Sequence, residues 1–126
     1  MDSISENTSE YSVDVTIETI TPTLSIDIGI RHLGYSILTT EGLIFDIFDI
    51  EDTYKKDSRL KKINSVPVQR SYVLNEFLTK IINEYAIERI IVERQVQTNT
   101  MAMEIMYCII SLCITKIPLE NLIIYD

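Results

Sequence analysis

The 126 residues carry a formal charge of −8 and are 46% hydrophobic, a length and composition that support one core of ordinary size and leave little room for a second domain. That charge excludes a generally basic surface of the kind strong nucleic-acid binders use, so any contact with phosphates has to come from a local patch. The acidity is uneven: Asp2, Glu6, Glu10, Asp14 and Glu18 precede any Lys or Arg, whereas from Thr23 onward 11 basic residues face 14 acidic ones.

Residues 1–22 are Ser/Thr-rich, acidic and free of glycine, which predicts a disordered arm ahead of a single domain over 23–126. Within the arm, Val13-Asp14-Val15-Thr16-Ile17-Glu18 alternates as an edge strand would. The first ten residues lack the basic and apolar regions of a signal or transit peptide, and no apolar run reaches membrane-spanning length. The expectation is a soluble, non-secreted protein with no membrane partner, in the cytosol or nucleus.

Leu24 to Ile28 reads as a first, central strand and Gly34 to Thr39 as a second. After a tight turn at Glu41-Gly42, Leu43 to Ile50 reads as a third, completing an antiparallel meander. Glu51 to Val66 is polar and contains the sole basic run, Lys55-Lys56-Asp57-Ser58-Arg59-Leu60-Lys61-Lys62. It reads either as a solvated connection or as a loop that touches phosphates through Lys55, Lys56, Lys61 and Lys62. Pro67 then opens a helix whose apolar positions run from Val73 through Leu74, Phe77, Leu78, Ile81 and Ile82 to Tyr85. Arg89 to Glu93 is a short β-branched strand, Asn99 to Lys116 a second helix, and Leu122 to Tyr125 a last strand. Cys108 and Cys113 fall on that second helix, five residues apart and therefore on different faces, so they read as buried reduced thiols. Meander, helix, strand, helix, strand defines an α/β fold with a mixed sheet and helices on its faces.

Two carboxylates stand out. Asp27 lies on an apolar strand that turns at glycines, where it is either a turn-capping residue or a ligand for a cation or phosphate-bearing partner. Glu93 ends the fourth strand, either as an exposed acid paired with Arg89 or Arg94 or as a second ligand. Right-handed crossover geometry places its strand beside the first or one away, which brings Asp27 and Glu93 together at the functional edge of an open sheet. Hard oxygen ligands converging there suit Mg²⁺ or Mn²⁺ and phosphoryl chemistry.

The run Ile26-Asp27-Ile28-Gly29-Ile30-Arg31-His32-Leu33-Gly34-Tyr35, with Gly34 seven residues after Asp27, resembles the opening strand and turn of the RuvC-type Holliday junction resolvases of the ribonuclease H-like superfamily. It is most similar to the poxvirus and mitochondrial branch, which often has Asn at the position of His32. Ile90-Ile91-Val92-Glu93-Arg94-Gln95 resembles that family's second catalytic strand, and Asn99 to Cys113 fits the following helix. The resemblance implies an endodeoxyribonuclease that cuts four-way DNA junctions in recombination, repair or viral genome processing. It implies Asp27 and Glu93 as catalytic ligands of Mg²⁺ or Mn²⁺, branched DNA as partner, a homodimer, and a cellular or viral replication site of action. Arg31, His32, Arg94 and Gln95 are candidate DNA contacts, each with an ordinary reading as an exposed turn or loop residue. The family's remaining acidic ligands lie on a helix after the last strand read here, so Asp126 comes too early to match them. On this reading the domain is C-terminally truncated and holds half a metal site.

Two other classes compete. An actin-like or sugar-kinase ATP-binding domain also begins with strand, Asp-x-Gly, turn and strand, but it needs further Gly-rich phosphate loops, and Gly29, Gly34 and Gly42 are the only glycines. A non-catalytic module of the same fold would bind DNA or dimerise through the Met101 to Cys113 helix without cutting.

Overall fold

The structure is a computed structural model that describes residues 20–126; the alternating stretch at 13–18 and nearly all of the predicted arm lie outside the described residues. Five strands form one mixed sheet: β1 (Thr23–Ile28), β2 (His32–Thr39), β3 (Gly42–Asp49), β4 (Arg89–Glu93) and β5 (Leu122–Tyr125), in the order β3-β2-β1-β4-β5. Pairings β1–β2 and β2–β3 are antiparallel, and β1–β4 and β4–β5 are parallel. Among the described residues three helices accompany them: α1 (Ile50–Lys56), α2 (Val66–Glu84) and α3 (Thr100–Cys113).

Local chemistry sets the boundaries. A Cβ on Gly29 would lie 2.4 Å from the backbone oxygen of His32, so the β1–β2 turn closes only around glycine. Gly42, at φ +130, turns the chain into β3. Ser65 caps α2 by accepting the Val68 N–H, Pro67 sits in the first turn, and Asn99 caps α3 by accepting the Ala102 N–H at 3.1 Å. The expected polar connection after β3 is instead partly helical. Asp49 accepts the Asp52 N–H at 2.8 Å and starts α1, with Lys55 and Lys56 in its last turn, and a 3₁₀ turn follows at Ser58–Leu60. The signal was present in Asp49, Glu51 and Asp52 ahead of Lys55 and Lys56, a charge order that favours a helix.

The core lies on one face of the sheet. Leu24, Ile26 and Ile28 of β1, Leu33 and Ile37 of β2, and Ile90 and Val92 of β4 are buried against α2 and α3, which contribute Val73, Leu74, Leu78, Ile82, Ile105, Met106 and Ile109. Tyr35 and Phe48 point to the same side: Phe77 of α2 stacks on Phe48 with ring centroids 4.1 Å apart and meets Tyr35 edge-on at 5.1 Å. Burial, with the Asp46 carboxylate nearby, raises the Tyr35 phenol above its ordinary pKa, and burial pushes the Cys113 thiol up to about 12. Cys108 and Cys113 are both free thiols.

Helices were expected on both faces, but the described ones cover only this face. The opposite face presents Leu43, Phe45 and Ile47 of β3 and Ile123 and Tyr125 of β5 to solvent, with Phe45 74% exposed. Hydrophobic alternation identifies the two faces of a strand but not which will be covered, because β3 is apolar at Leu43, Ile44, Phe45, Ile47 and Phe48 alike.

Candidate active site

Strand alternation and register bring the two carboxylates together. Ile26 pairs with Val92 in the parallel β1–β4 ladder, and both are buried on the core side. One residue further, Asp27 and Glu93 therefore stand side by side at the C-terminal ends of adjacent strands, both on the open face. Neighbouring strands are about 4.8 Å apart. On the other flank Asp27 pairs with Gly34, where a Cβ would make an ordinary contact at 3.7 Å from Asp27 Cβ. A cavity of about 560 Å³ opens at this place, lined by Ser25, Asp27, Gly34, Ser36, Phe45, Ile47 and Tyr125 among others.

Neither carboxylate is used up by its surroundings. Among the described residues the Asp27 side chain makes no capping hydrogen bond, unlike Asp49 and Asp57, which do. The two arginines beside Glu93 in sequence turn elsewhere: Arg89 Nε donates to Thr23 Oγ1 at 3.2 Å, and Arg94 Nε donates to Asp126 Oδ1 at 2.7 Å. Arg94 N–H also donates to the Tyr125 carbonyl at 2.7 Å, extending the β4–β5 ladder, and Gln95 folds back so that Nε2 donates to the Glu93 carbonyl.

A pair of adjacent, uncompensated carboxylates is repulsive unless a cation lies between them. Asp27 and Glu93 have the donor chemistry that a hard divalent ion takes, two oxygen ligands with the remaining positions left to water or substrate. No group of three or more His, Cys, Asp or Glu positioned for a metal occurs among the described residues. Asp126 does not extend the pair, since it is engaged by Arg94.

The other candidate residues fall at two further places. Arg31 and His32 lie at the same edge of the sheet in a cluster with acids: His32 Nε2 is 3.3 Å from Asp49 Oδ2, and Arg31 Nε is 3.9 Å from Asp49 and 3.7 Å from Glu51. Lys55 also pairs with Glu51, and Lys56 with Asp52 at 3.0 Å. Lys61 and Lys62, following the 3₁₀ turn, are exposed. Asp49 and Glu51 were not singled out in the sequence, although Glu51, four residues before Lys55, was a signal for helix-surface pairing.

The Asp52 N–H holds the Asp49 carboxyl below its ordinary value of 3.8, with His32 and Arg31 adding to the effect. A carboxyl depressed in the folded state contributes stability above its unfolded pKa and loses it as pH falls through the folded one. Asp49→Asn, which keeps the helix cap, is thus expected to flatten the fall of Tm with pH below 3.8. The difference should be small because the group keeps contact with solvent; thermal melts across that range check it, and identical slopes would refute it.

No family model matches the sequence, and no curated protein matches it significantly. The fold does have solved counterparts. The mixed five-stranded sheet with its helices has the fold of RuvC. RuvC from T. thermophilus in complex with a Holliday junction substrate superposes with a TM-score of 0.57 at 13% identity, covering 84% of this chain and 64% of RuvC. A second Thermus thermophilus RuvC structure gives 0.57 at 15% identity, with 82% and 63% covered. The chain thus spans less than two thirds of the length of either, and at these identities the likeness is one of fold.

Proposed function

We propose that this chain is the nuclease domain of a metal-dependent, junction-resolving endodeoxyribonuclease of the poxvirus and mitochondrial resolvase type. The observation that carries this reading is the juxtaposition of Asp27 and Glu93, on one face and at adjacent strand ends, in a fold whose solved counterparts include RuvC bound to a Holliday junction. The acidic segment 1–22 would be an appendage to that domain.

In this reading Asp27 and Glu93 hold Mg²⁺ or Mn²⁺. A divalent ion so bound supplies charge neutralisation at a phosphodiester and a lowered pKa for water. The chain's own part is to fix two anionic oxygens on rigid strands. Branched DNA is the proposed partner, and a two-fold junction cut on both sides fits an isologous homodimer. Arg31, His32, Arg94, Gln95 and the lysines 55, 56, 61 and 62 are the proposed DNA contacts. Such work belongs in the cytoplasm, the nucleus or a viral replication site.

The test is incubation of the full chain with labelled four-way junction and linear duplex of the same sequence, in Mg²⁺, Mn²⁺ and EDTA. Metal-dependent cleavage confined to the junction is the expected result. The finding of only two carboxylates at the described site favours a second reading, junction binding without cleavage. Binding with no cut in either metal would select that reading, and neither binding nor cleavage would refute both.

A further inference from the structure

On the covered side of the sheet, at the same strand ends, α2 carries a buried arginine that the nuclease reading does not use. Arg70 is 7% exposed. Its Nη2 donates to Glu104 Oε1 at 3.0 Å, and its other four N–H groups donate to no described residue. A guanidinium withdrawn from water normally has its donors satisfied, since each one left without a partner is costly.

Arg70 lines a partly enclosed cavity of about 180 Å³, the space of roughly six waters at ~30 Å³ each. Ile30, Ile50, Tyr54, Val66 and Met101 form its apolar wall. Arg31 adds a second guanidinium, and Glu51, already engaged by Lys55 and Arg31, is the one acid in the lining. A forked donor with unsatisfied N–H groups beside a second guanidinium matches a tetrahedral oxyanion.

We propose that the Arg70 cavity is a phosphate-binding site, distinct from the carboxylate pair and independent of whether that pair cuts DNA. Its phosphate belongs either to a free anion or to a nucleic-acid strand. Glu104 competes with that phosphate for Nη2, so the anion and the α2–α3 ion pair share one guanidinium.

Because the carboxylate pair would need a metal, the test is run in EDTA on the full chain, following the backbone amide resonances of Arg31 and Met101, which every variant keeps, during titration with inorganic phosphate and, separately, with a short single-stranded DNA. A saturable shift in wild type is expected, tightened roughly two- to fivefold in Glu104→Gln by removal of one largely exposed competing charge, and lost in Arg70→Met. A shift by DNA that phosphate competes away assigns the site to nucleic acid; a shift by phosphate alone assigns it to a free anion. No shift with either ligand in wild type and Glu104→Gln overturns the proposal, as does undiminished binding by folded Arg70→Met. Should Arg70→Met fail to fold by circular dichroism, Glu104→Gln still decides, since Glu104 is largely exposed and an affinity unchanged from wild type contradicts the shared guanidinium.

Discussion

Asp27→Asn is expected to reduce junction cleavage at least roughly a hundredfold, the scale seen when a metal's ligand environment or a transition-state donor is lost. The substitution keeps the shape of the side chain and removes one of the two charges placed at the adjacent ends of β1 and β4. Its effect on stability should run the opposite way. In EDTA the variant loses carboxylate repulsion and melts higher than wild type, whereas the rise in Tm that Mg²⁺ confers on wild type by binding the folded state should disappear. A purely structural Asp27 would give the reverse pattern, a lower Tm and an unchanged response to Mg²⁺. Glu93→Gln should behave in the same way, and unaltered cleavage by either variant would refute the assignment.

Ile90→Ala is expected to cost about 2–5 kcal/mol, as truncation of a fully buried aliphatic residue does. Ile90 is 0% exposed and lies on β4, between β1 and β5. For a domain of this size that loss lowers Tm by roughly 10 °C or more, and it is a large share of the ~5–15 kcal/mol that such domains possess. Ile47→Thr on the open face is the matched control. Ile47 is 64% exposed, and a β-branched replacement there should change stability by no more than about 0.5 kcal/mol. Thermal melts of both variants check the pair. A cost at Ile47 equal to that at Ile90 would show that the open face is buried in solution.

The elements that sequence reading located best are those with a single physical explanation. Arg89 to Glu93 and Leu122 to Tyr125 are short β-branched runs between breakers, and their bounds match the structure residue for residue. The helix opened by Pro67 begins one residue earlier, at Val66, with Ser65 as its cap. Asp27 and Glu93 were legible as neighbours because crossover handedness and strand alternation constrain where two strand ends meet, and the register places them so. What was not legible depended on tertiary partners. Alternation in β3 says nothing of which face a helix will cover. The short α1 follows from a cap whose aspartate also belongs to a salt-bridge cluster. Nothing in the sequence marked Arg70, and it is the packing of α2 against its neighbouring helices that withdraws it from water.

The strand order also has a kinetic side. The meander β1–β2–β3 joins segments adjacent in the chain, but β1 meets β4 only after a loop of about 60 residues has closed, Thr23 lying opposite Arg89. Local hairpins form readily, while distant parallel pairings wait for that entropy to be overcome. The two acids at the heart of the site therefore meet late in folding, and a chain arrested at the hairpin stage displays Asp27 without its counterpart.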